Sequence, residues 1–486
     1  MELDLPANLN EGRQPNLLPL RCTGREDTMT PVSPDGNRAH NQVVDELQSR
    51  WPEHKVAPSL SRIKALCRIL GDPQHAAKVI HIAGTNGKGS TAIITDALLR
   101  SIGLRTGRFS SPHLEDVCER ICVDGEPITP ERFDQAWAEI KPAVEMVDAQ
   151  ALDGVRMTFF EIITAMAFSV FADAPVDVMV IECGMGGRWD ATNVADADVA
   201  VICPIDYDHQ KYLGETIAEI AAEKAGIIKP ESTAVLAGQL PEAASVLVRH
   251  CADAGVEVLM EGPDFSVLER TRAVGGQMLR IASVTTPMDD LFLPIHGEHM
   301  SHNAALSLAA VQALIGGREI DAEVIRDGFA AVTAPARAER IHRDPPIVLD
   351  TCHNVHGAIA TMNTIREAFG FEPCIGVVSM MKDKNVSDVM KVFAETMAAV
   401  VVTKTALTDR GMDLDEIADI AEGVFGRNRV LRANTMDEAI STAMANADAI
   451  GDNAGVVIAG SVIGAGEARA IIRRYPDTLV RDDANR

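Results

Sequence analysis

The chain has 486 residues, 47% of them apolar, and a formal net charge of −25. That length exceeds what one compact core accommodates and predicts two domains or three, while the apolar share argues against wholesale disorder. So acidic a chain repels nucleic acid and anionic membranes, which excludes either as the main partner.

Residues 1–40 are rich in Pro, Asn, Arg, Asp and Gly without periodicity and are read as a flexible extension, with order beginning near "NQVVDELQSRW". The opening "MELDLPANLN" lacks a basic-then-apolar run, so no secretory signal is expected, and no apolar stretch is long enough to span a bilayer. The nine cysteines are scattered, with Cys118 and Cys122 flanking a strand-like "ERI". Neither disulfides nor structural zinc is expected, which suits a cytoplasmic location.

From residue 78 apolar runs alternate with helical periods. "KVIHIAG" predicts a strand, and "KGSTAIITDALLRSIG" a helix stopped by Gly103. "RTGRFSS" predicts a short strand, "TFFEIITAMAFSVFAD" an amphipathic helix, and "VDVMVIECG", "ADVAVICPI" and "STAVLAGQ" buried strands. Continuous apolar strands between helices predict a doubly wound, mostly parallel α/β sheet. Helices and a Pro-Ala-rich joint follow, with a domain boundary near Ala334–Ala336. From residue 337 the strands "PPIVLDTCHN", "CIGVVSMM", "MAAVVVTKT", "NRVLRA" and "AGVVIAGSVIG" predict a second, smaller Rossmann-like α/β domain.

The stretch "HIAGTNGKGSTA" follows a strand and opens a helix, the setting of a phosphate-binding loop, yet it departs from G-x-x-x-x-G-K-[ST]. Ile82 stands where the first glycine belongs, and Gly89 separates Lys88 from the hydroxyl of Ser90 or Thr91. Three glycines, a lysine and a hydroxyl in one turn exceed what a turn alone requires.

Other chemistry-bearing residues also end predicted strands. Ser111 precedes a proline, and taken alone an ordinary strand exit explains it better than a metal ligand does. Glu182 closes a buried strand, where a carboxylate is costly unless paired or metal-bound. His209 stands among Asp206 and Asp208 after the next strand. Beyond it, Thr216 and Glu219 predict a capping box, and Ile217, Ile220, Ala221 and Lys224 then share the inward face of a helix. Open α/β sheets bind ligands beyond the carboxyl ends of their strands. A phosphate loop, hydroxyl, carboxylate and imidazole there predict a nucleotide–magnesium site.

The stretches "GTNGKGS", "SSPHL", "ERI", "GGRWDATN", "DHQKYLG", "EKAGIIKP", "HMSHNAALSLAA", "PARAER" and "LDTCHN" occur in the order seen in the Mur ligase superfamily. They most resemble its folylpolyglutamate synthase and dihydrofolate synthase branch, from about Pro58 to the end. The resemblance accounts for the odd loop, because this branch carries a glycine between lysine and hydroxyl.

The resemblance implies an N-terminal P-loop ATPase domain over 41–334 and a glutamate-ligase domain over 337–486. It implies ATP phosphates on Gly84, Thr85, Asn86, Gly87, Lys88, Gly89 and Ser90, with Lys88 on the outer ones. It implies one magnesium ion on Ser111 and Glu182 and a second on Glu182 and His209, with Lys224 carbamylated beside them. It implies nucleotide contacts from Asn303, Arg337 and Asp350, and His353 where the second domain meets the nucleotide and incoming amino acid. The substrates implied are ATP, L-glutamate and a folate or dihydropteroate, with no nucleic-acid or membrane partner, and the chain is expected to be a monomer. Departures from the family pattern are Ala336 for a glycine, Thr351 and Cys352 beside Asp350, and Trp189, which is expected near the pterin pocket. The competing accounts are a P-loop ATPase that drives a partner, or a peptidoglycan-precursor ligase, for which the segment ahead of the loop is too short.

Overall fold

The computed structural model describes residues 34–50, 58–451 and 453–475. Residues 1–33, most of the expected extension, lie outside these, but its last part does not fit the expectation. Helix α1 spans Pro34–Gln48, beginning inside the segment read as flexible. The apolar period of this helix starts late, which hid its first two turns. His40, nearly fully buried, anchors it through a hydrogen bond with Asp134 at 2.7 Å and an edge-on contact with Phe133.

The first sheet has eight strands: β1 (Lys78–Ala83), β2 (Thr106–Phe109), β3 (Ile121–Val123), β4 (Glu126–Pro127), β5 (Val178–Glu182), β6 (Val199–Ile202), β7 (Thr233–Leu236) and β8 (Glu257–Met260). Their order is β4-β3-β2-β5-β1-β6-β7-β8, antiparallel only across β2-β3 and β3-β4. Chain order reverses direction at β1, so its carboxyl end is a topological switch point. Register brings the active strands level, with Ile82 of β1 beside Glu182 of β5 and Val201 of β6.

Helices α2 (Ser61–Ile69), α4 (Pro130–Ala149) and α5 (Phe159–Asp173) cover one face, and α3 (Lys88–Ser101) lies against the other. α5 is not amphipathic as expected. Eleven of its fifteen residues are buried, from Phe159 round to Phe171, because it is enclosed by β2, α2 and α4. The strand-like "ERI" is mainly a 3₁₀ turn over Val117–Arg120, capped by Asp116, and β3 begins only at Ile121.

Beyond α6 (Gln210–Leu213), α7 (Ile217–Lys224) and α8 (Pro241–Ala254), a three-stranded antiparallel sheet was not foreseen: β9 (Ser266–Ala273), β10 (Gly276–Ala282) and β11 (Met288–Leu293). Helices α9 (Glu298–Leu314) and α10 (Ala322–Ala330) complete this unit. The second sheet comprises β12 (Glu339–Arg343), β13 (Pro346–Leu349), β14 (Cys374–Val378), β15 (Met397–Val402), β16 (Val430–Arg432) and β17 (Gly455–Ala459). Its order is β12-β13-β17-β14-β15-β16, parallel except for β12-β13. Helices α11 (Val355–Thr364), α12 (Val386–Ala394), α13 (Leu414–Phe425), α14 (Met436–Ile450) and α15 (Val462–Ile472) pack on it. Among the described residues no helix is long and apolar enough to cross a membrane.

Candidate active site

The phosphate-type loop joins β1 to α3 at the switch point. Gly84 lies so close to β6 that a Cβ on it would stand 2.5 Å from the Cβ of Cys203. Gly87 adopts φ +88, and a Cβ there would meet the Asn303 side chain at 2.7 Å. A larger residue fits at neither position. α3 begins at Lys88, so its unpaired first-turn N–H groups and dipole face the loop. The amides of Thr85 and Asn86 instead donate to the Pro204 carbonyl at 3.0 and 3.4 Å. Of the two hydroxyls, that of Thr91 is fully buried and accepts from Cys203 Sγ, which leaves Ser90 as the one at the mouth of the helix. Gly89, the residue that breaks the standard pattern, has a clear use. A Cβ there would sit 3.4 Å from Arg337 Nη2 and 3.6 Å from Glu182 Oε2, in the space between loop, carboxylate and guanidinium.

Glu182 is buried at the end of β5, and burial pushes its carboxyl up, with Lys88 the foremost opposing influence. Oε2 accepts the Ser111 amide at 3.3 Å, so two residues predicted to share a metal ion are neighbours. A buried carboxylate beside a serine, at the mouth of an anion-binding loop, has the hard oxygen donors that suit magnesium. A different group, His40, Asp116 and Cys118, also has its ligand atoms within 4.8 Å of one another. There, however, His40 is committed to Asp134 and Asp116 to the turn it caps.

α7 has the expected capping box, with Thr216 accepting from the Glu219 amide, and buries Ile217, Ile220, Ala221 and Lys224 on one face. Lys224 Nζ donates to the Gly84 carbonyl at 2.7 Å. Burial, and then Lys88, pull its ammonium down to about 7. Near neutral pH a substantial share of this amine is therefore unprotonated, the form that reacts with carbon dioxide. His209 stands at φ +51 ahead of α6, and burial pulls its imidazole down to about 4, leaving a neutral, metal-competent ring.

The C-terminal unit closes over this edge. Asp208 is the meeting point: Oδ1 accepts from Lys384 Nζ at 2.7 Å and Oδ2 from Asn354 Nδ2 at 3.4 Å, with His353 Nε2 3.8 Å from Oδ2. Burial pushes its carboxyl up, but His353, His209 and Lys384 together hold it well below the usual range. Asn354 Nδ2 also donates to Asn86 Oδ1 at 2.9 Å, reaching the loop itself. Lys384 and Asn354 were not singled out in the sequence. Asn354 closes the "LDTCHN" stretch and caps α11, which was its available signal, whereas Lys384 had none.

Arg337 reaches towards Gly89 from between the units, its Nη1 bonded to the Ala336 carbonyl and to Thr351 Oγ1. The departure at Thr351 therefore supplies an acceptor that orients Arg337. Asp350, at the end of β13, is engaged inside the C-terminal unit. It accepts from the amides of Ala338 and Cys352 and the hydroxyl of Thr361, at 2.8–2.9 Å, all within its own unit. Trp189 packs with the core around Ile217 and Ile220, its ring against Gly186.

Residues 82–311 match the Mur ligase middle domain, and residues 336–462 the Mur ligase glutamate ligase domain. A curated dihydrofolate synthase/folylpolyglutamate synthase of Mycobacterium tuberculosis is 44% identical over 91% of this chain and 96% of its own length. One of Bacillus subtilis is 36% identical over 69% and 78%. The solved structure of Mycobacterium tuberculosis folylpolyglutamate synthase complexed with ADP superposes with a TM-score of 0.87, at 44% identity, over 91% of this chain and 100% of that one. Two matched domains in order along the chain, with a relative 44% identical over nearly its whole length, put this chain in the folylpolyglutamate synthase/dihydrofolate synthase family of Mur ligases.

Proposed function

We propose that the chain is an ATP-dependent amide-forming ligase that adds L-glutamate to the γ-carboxylate of tetrahydrofolates and also joins glutamate to dihydropteroate. The observation that carries this is the pairing of Ser111 with Glu182 at 3.3 Å beneath a loop bearing Lys88, with Lys224 held on the loop's first carbonyl. The relatives' names, which couple both activities, support the bifunctional reading.

In this reading Lys88 and the first-turn amides of α3 hold the terminal phosphates of ATP, and Arg337 approaches from the other unit. The folate carboxylate attacks the γ-phosphorus, giving an acyl phosphate and ADP. The glutamate amine then attacks the acyl carbon, phosphate leaves, and the amide remains. Magnesium, when bound, would neutralise charge on the transferred phosphoryl group. Ser111 and Glu182 would hold one ion and Glu182 and His209 a second, with a carbamate on Lys224 turning a buried amine into an anion beside them. Contact between the units through Asp208, Asn354 and Lys384 would keep water from the acyl phosphate. His353, beside Asp208, fits the side from which glutamate enters, and Asn303 and Asp350 are proposed nucleotide neighbours.

We further read the chain as a cytoplasmic monomer, with one ATPase domain ahead of residue 334 and one ligase domain after 337. The eight cysteines among the described residues are free and buried, as a reducing compartment allows. The test is phosphate release from ATP with magnesium and glutamate, comparing tetrahydrofolate, dihydropteroate and no pterin. Release with both substrates is expected; release with tetrahydrofolate alone would limit the enzyme to polyglutamylation. Equal release without a pterin would reject ligation and reopen the P-loop ATPase account.

A further inference from the structure

The loop that carries Ser111 is gripped from the far unit. At one end the Ser111 amide donates to Glu182. Along its middle, the amides of Leu114, Glu115 and Asp116 donate to the carboxylate of Glu119 at 2.7, 3.2 and 3.2 Å, so the loop is held as one piece. Its outer side rests on α15. The Leu114 carbonyl lies so close to Gly466 that a Cβ there would be 1.7 Å from the oxygen. No side chain is compatible with that contact.

One turn further along α15, Arg469 is buried between two carboxylates. Its Nη1 donates to Glu115 Oε1 of the loop. Its Nε and Nη2 donate to Glu339 at 3.2 and 3.1 Å, and Arg473 adds a second cation on Glu115 at 3.2 Å. Glu339 in turn accepts the Ala336 amide at 2.7 Å, beside Arg337. One buried guanidinium thus joins the Ser111 loop of the first unit to the connecting segment that delivers Arg337. A fork of this kind fixes both partners geometrically, not only electrostatically.

We propose that Gly466 and Arg469 are positioning residues for ligation, seating the 111–116 loop on α15 so that Ser111 is presented beside Glu182 when the two units are together. Neither touches substrate; both act through Leu114 and Glu115. The inference rests on Ser111 serving as a magnesium ligand, as proposed above.

The test compares Gly466→Ala, Arg469→Met, Arg469→Lys and Glu115→Gln with Ser111→Ala. Glu115→Gln, on the loop surface, keeps the question answerable should Gly466→Ala fail to fold. In metal-free protein, hydrogen exchange of the segment spanning 110–120 should speed about tenfold in Arg469→Met and Gly466→Ala. In turnover, the magnesium concentration for half-maximal rate should rise and kcat fall, each about tenfold, as small displacements of a reacting group do. The KM for ATP should stay within about twofold and Arg469→Lys should recover part of the loss. Unchanged exchange and unchanged magnesium dependence, with Ser111→Ala impaired, would overturn the proposal while leaving the metal assignment standing. Normal turnover of Ser111→Ala would defeat the metal assignment, and the proposal with it.

Discussion

Lys384 and Asp208, 176 residues apart in sequence, form an ion pair at 2.7 Å between the two units, with both side chains largely buried. Asp208 immediately precedes His209, so this pair connects the position of the C-terminal unit to a candidate metal ligand. Removing one partner from a buried pair strands the other, at a cost of roughly 3–5 kcal/mol when the site cannot open. Here it can open, because the partners belong to different units. The cost of Asp208→Asn should therefore fall on closure rather than on folding. We expect kcat to drop by about 10–100-fold with the unfolding midpoint little changed. A variant with normal turnover would show that the pair has no part in assembling the site.

Lys88 lies at the first position of α3, where its charge adds to that of the helix N-terminus. Among the described residues its Nζ hydrogen-bonds the Thr85 carbonyl alone, at 3.3 Å, so its loss removes little packing. Lys88→Ala should abolish phosphate release while circular dichroism and melting stay those of the parent. Near-normal turnover would remove the loop from the mechanism.

Gly89→Ala tests the residue that departs from the standard loop. The added methyl would enter the space bounded by Arg337, at 3.4 Å, and the Glu182 carboxylate, at 3.6 and 3.7 Å. That is ordinary contact without a ligand, so the fold should be unaffected. With phosphate and metal present the space is contested, and a loss of about tenfold or more in kcat is expected. Retained activity would mean that the extra glycine serves only the turn.

The fold's parallel strands were legible because they are covered on both faces and read as apolar runs; β1, β5 and β6 show no exposed position beyond Lys78. The sheet β9–β11 escaped because only one of its faces is packed on the core, so its strands do not read as continuous apolar runs. Its first strand, "SVLERTRA", exposes Leu268 and carries charges where a core strand has none. In the site, Lys224 was legible from helical spacing, since Ile217, Ile220 and Ala221 define its face. Lys384 and Arg469 were not, because Asp208 and Glu115, which they meet, lie across the domain interface and no spacing encodes that pairing.

Lys224 yields a prediction with a pH sign. Its folded pKa, about 7, lies below the ordinary 10.5. Between these values the unfolded chain binds the extra proton, so this group's contribution makes stability rise with pH across that window and costs most below pH 7. Carbamylation would remove that cost. Enzyme stripped of carbon dioxide should lose activity and regain it with bicarbonate, with labelled carbon appearing on Lys224 by mass spectrometry. Lys224→Ala should be inactive and partly rescued by short carboxylic acids. Full activity of that variant without rescue would reject the carbamate.

Ala336 stands where the family pattern has glycine, and it adopts φ +55, the conformation a glycine would supply freely. The strain of an L-residue there is about 1–2 kcal/mol. Against this, its methyl is fully buried, worth about 0.8 kcal/mol, and alanine saves about 0.4–1 kcal/mol of chain entropy relative to glycine. The terms nearly cancel, which explains how the chain tolerates alanine at a left-handed position. Ala336→Gly should therefore leave the unfolding midpoint within about 3 °C of the parent. A fall well beyond that would show that the methyl's packing beside Ile341 and Leu349 outweighs the strain. Since Arg337 follows directly, the same variant should also be measured for its KM for ATP. A rise in KM with the midpoint unchanged would mean that alanine's restricted backbone helps aim Arg337 at the loop.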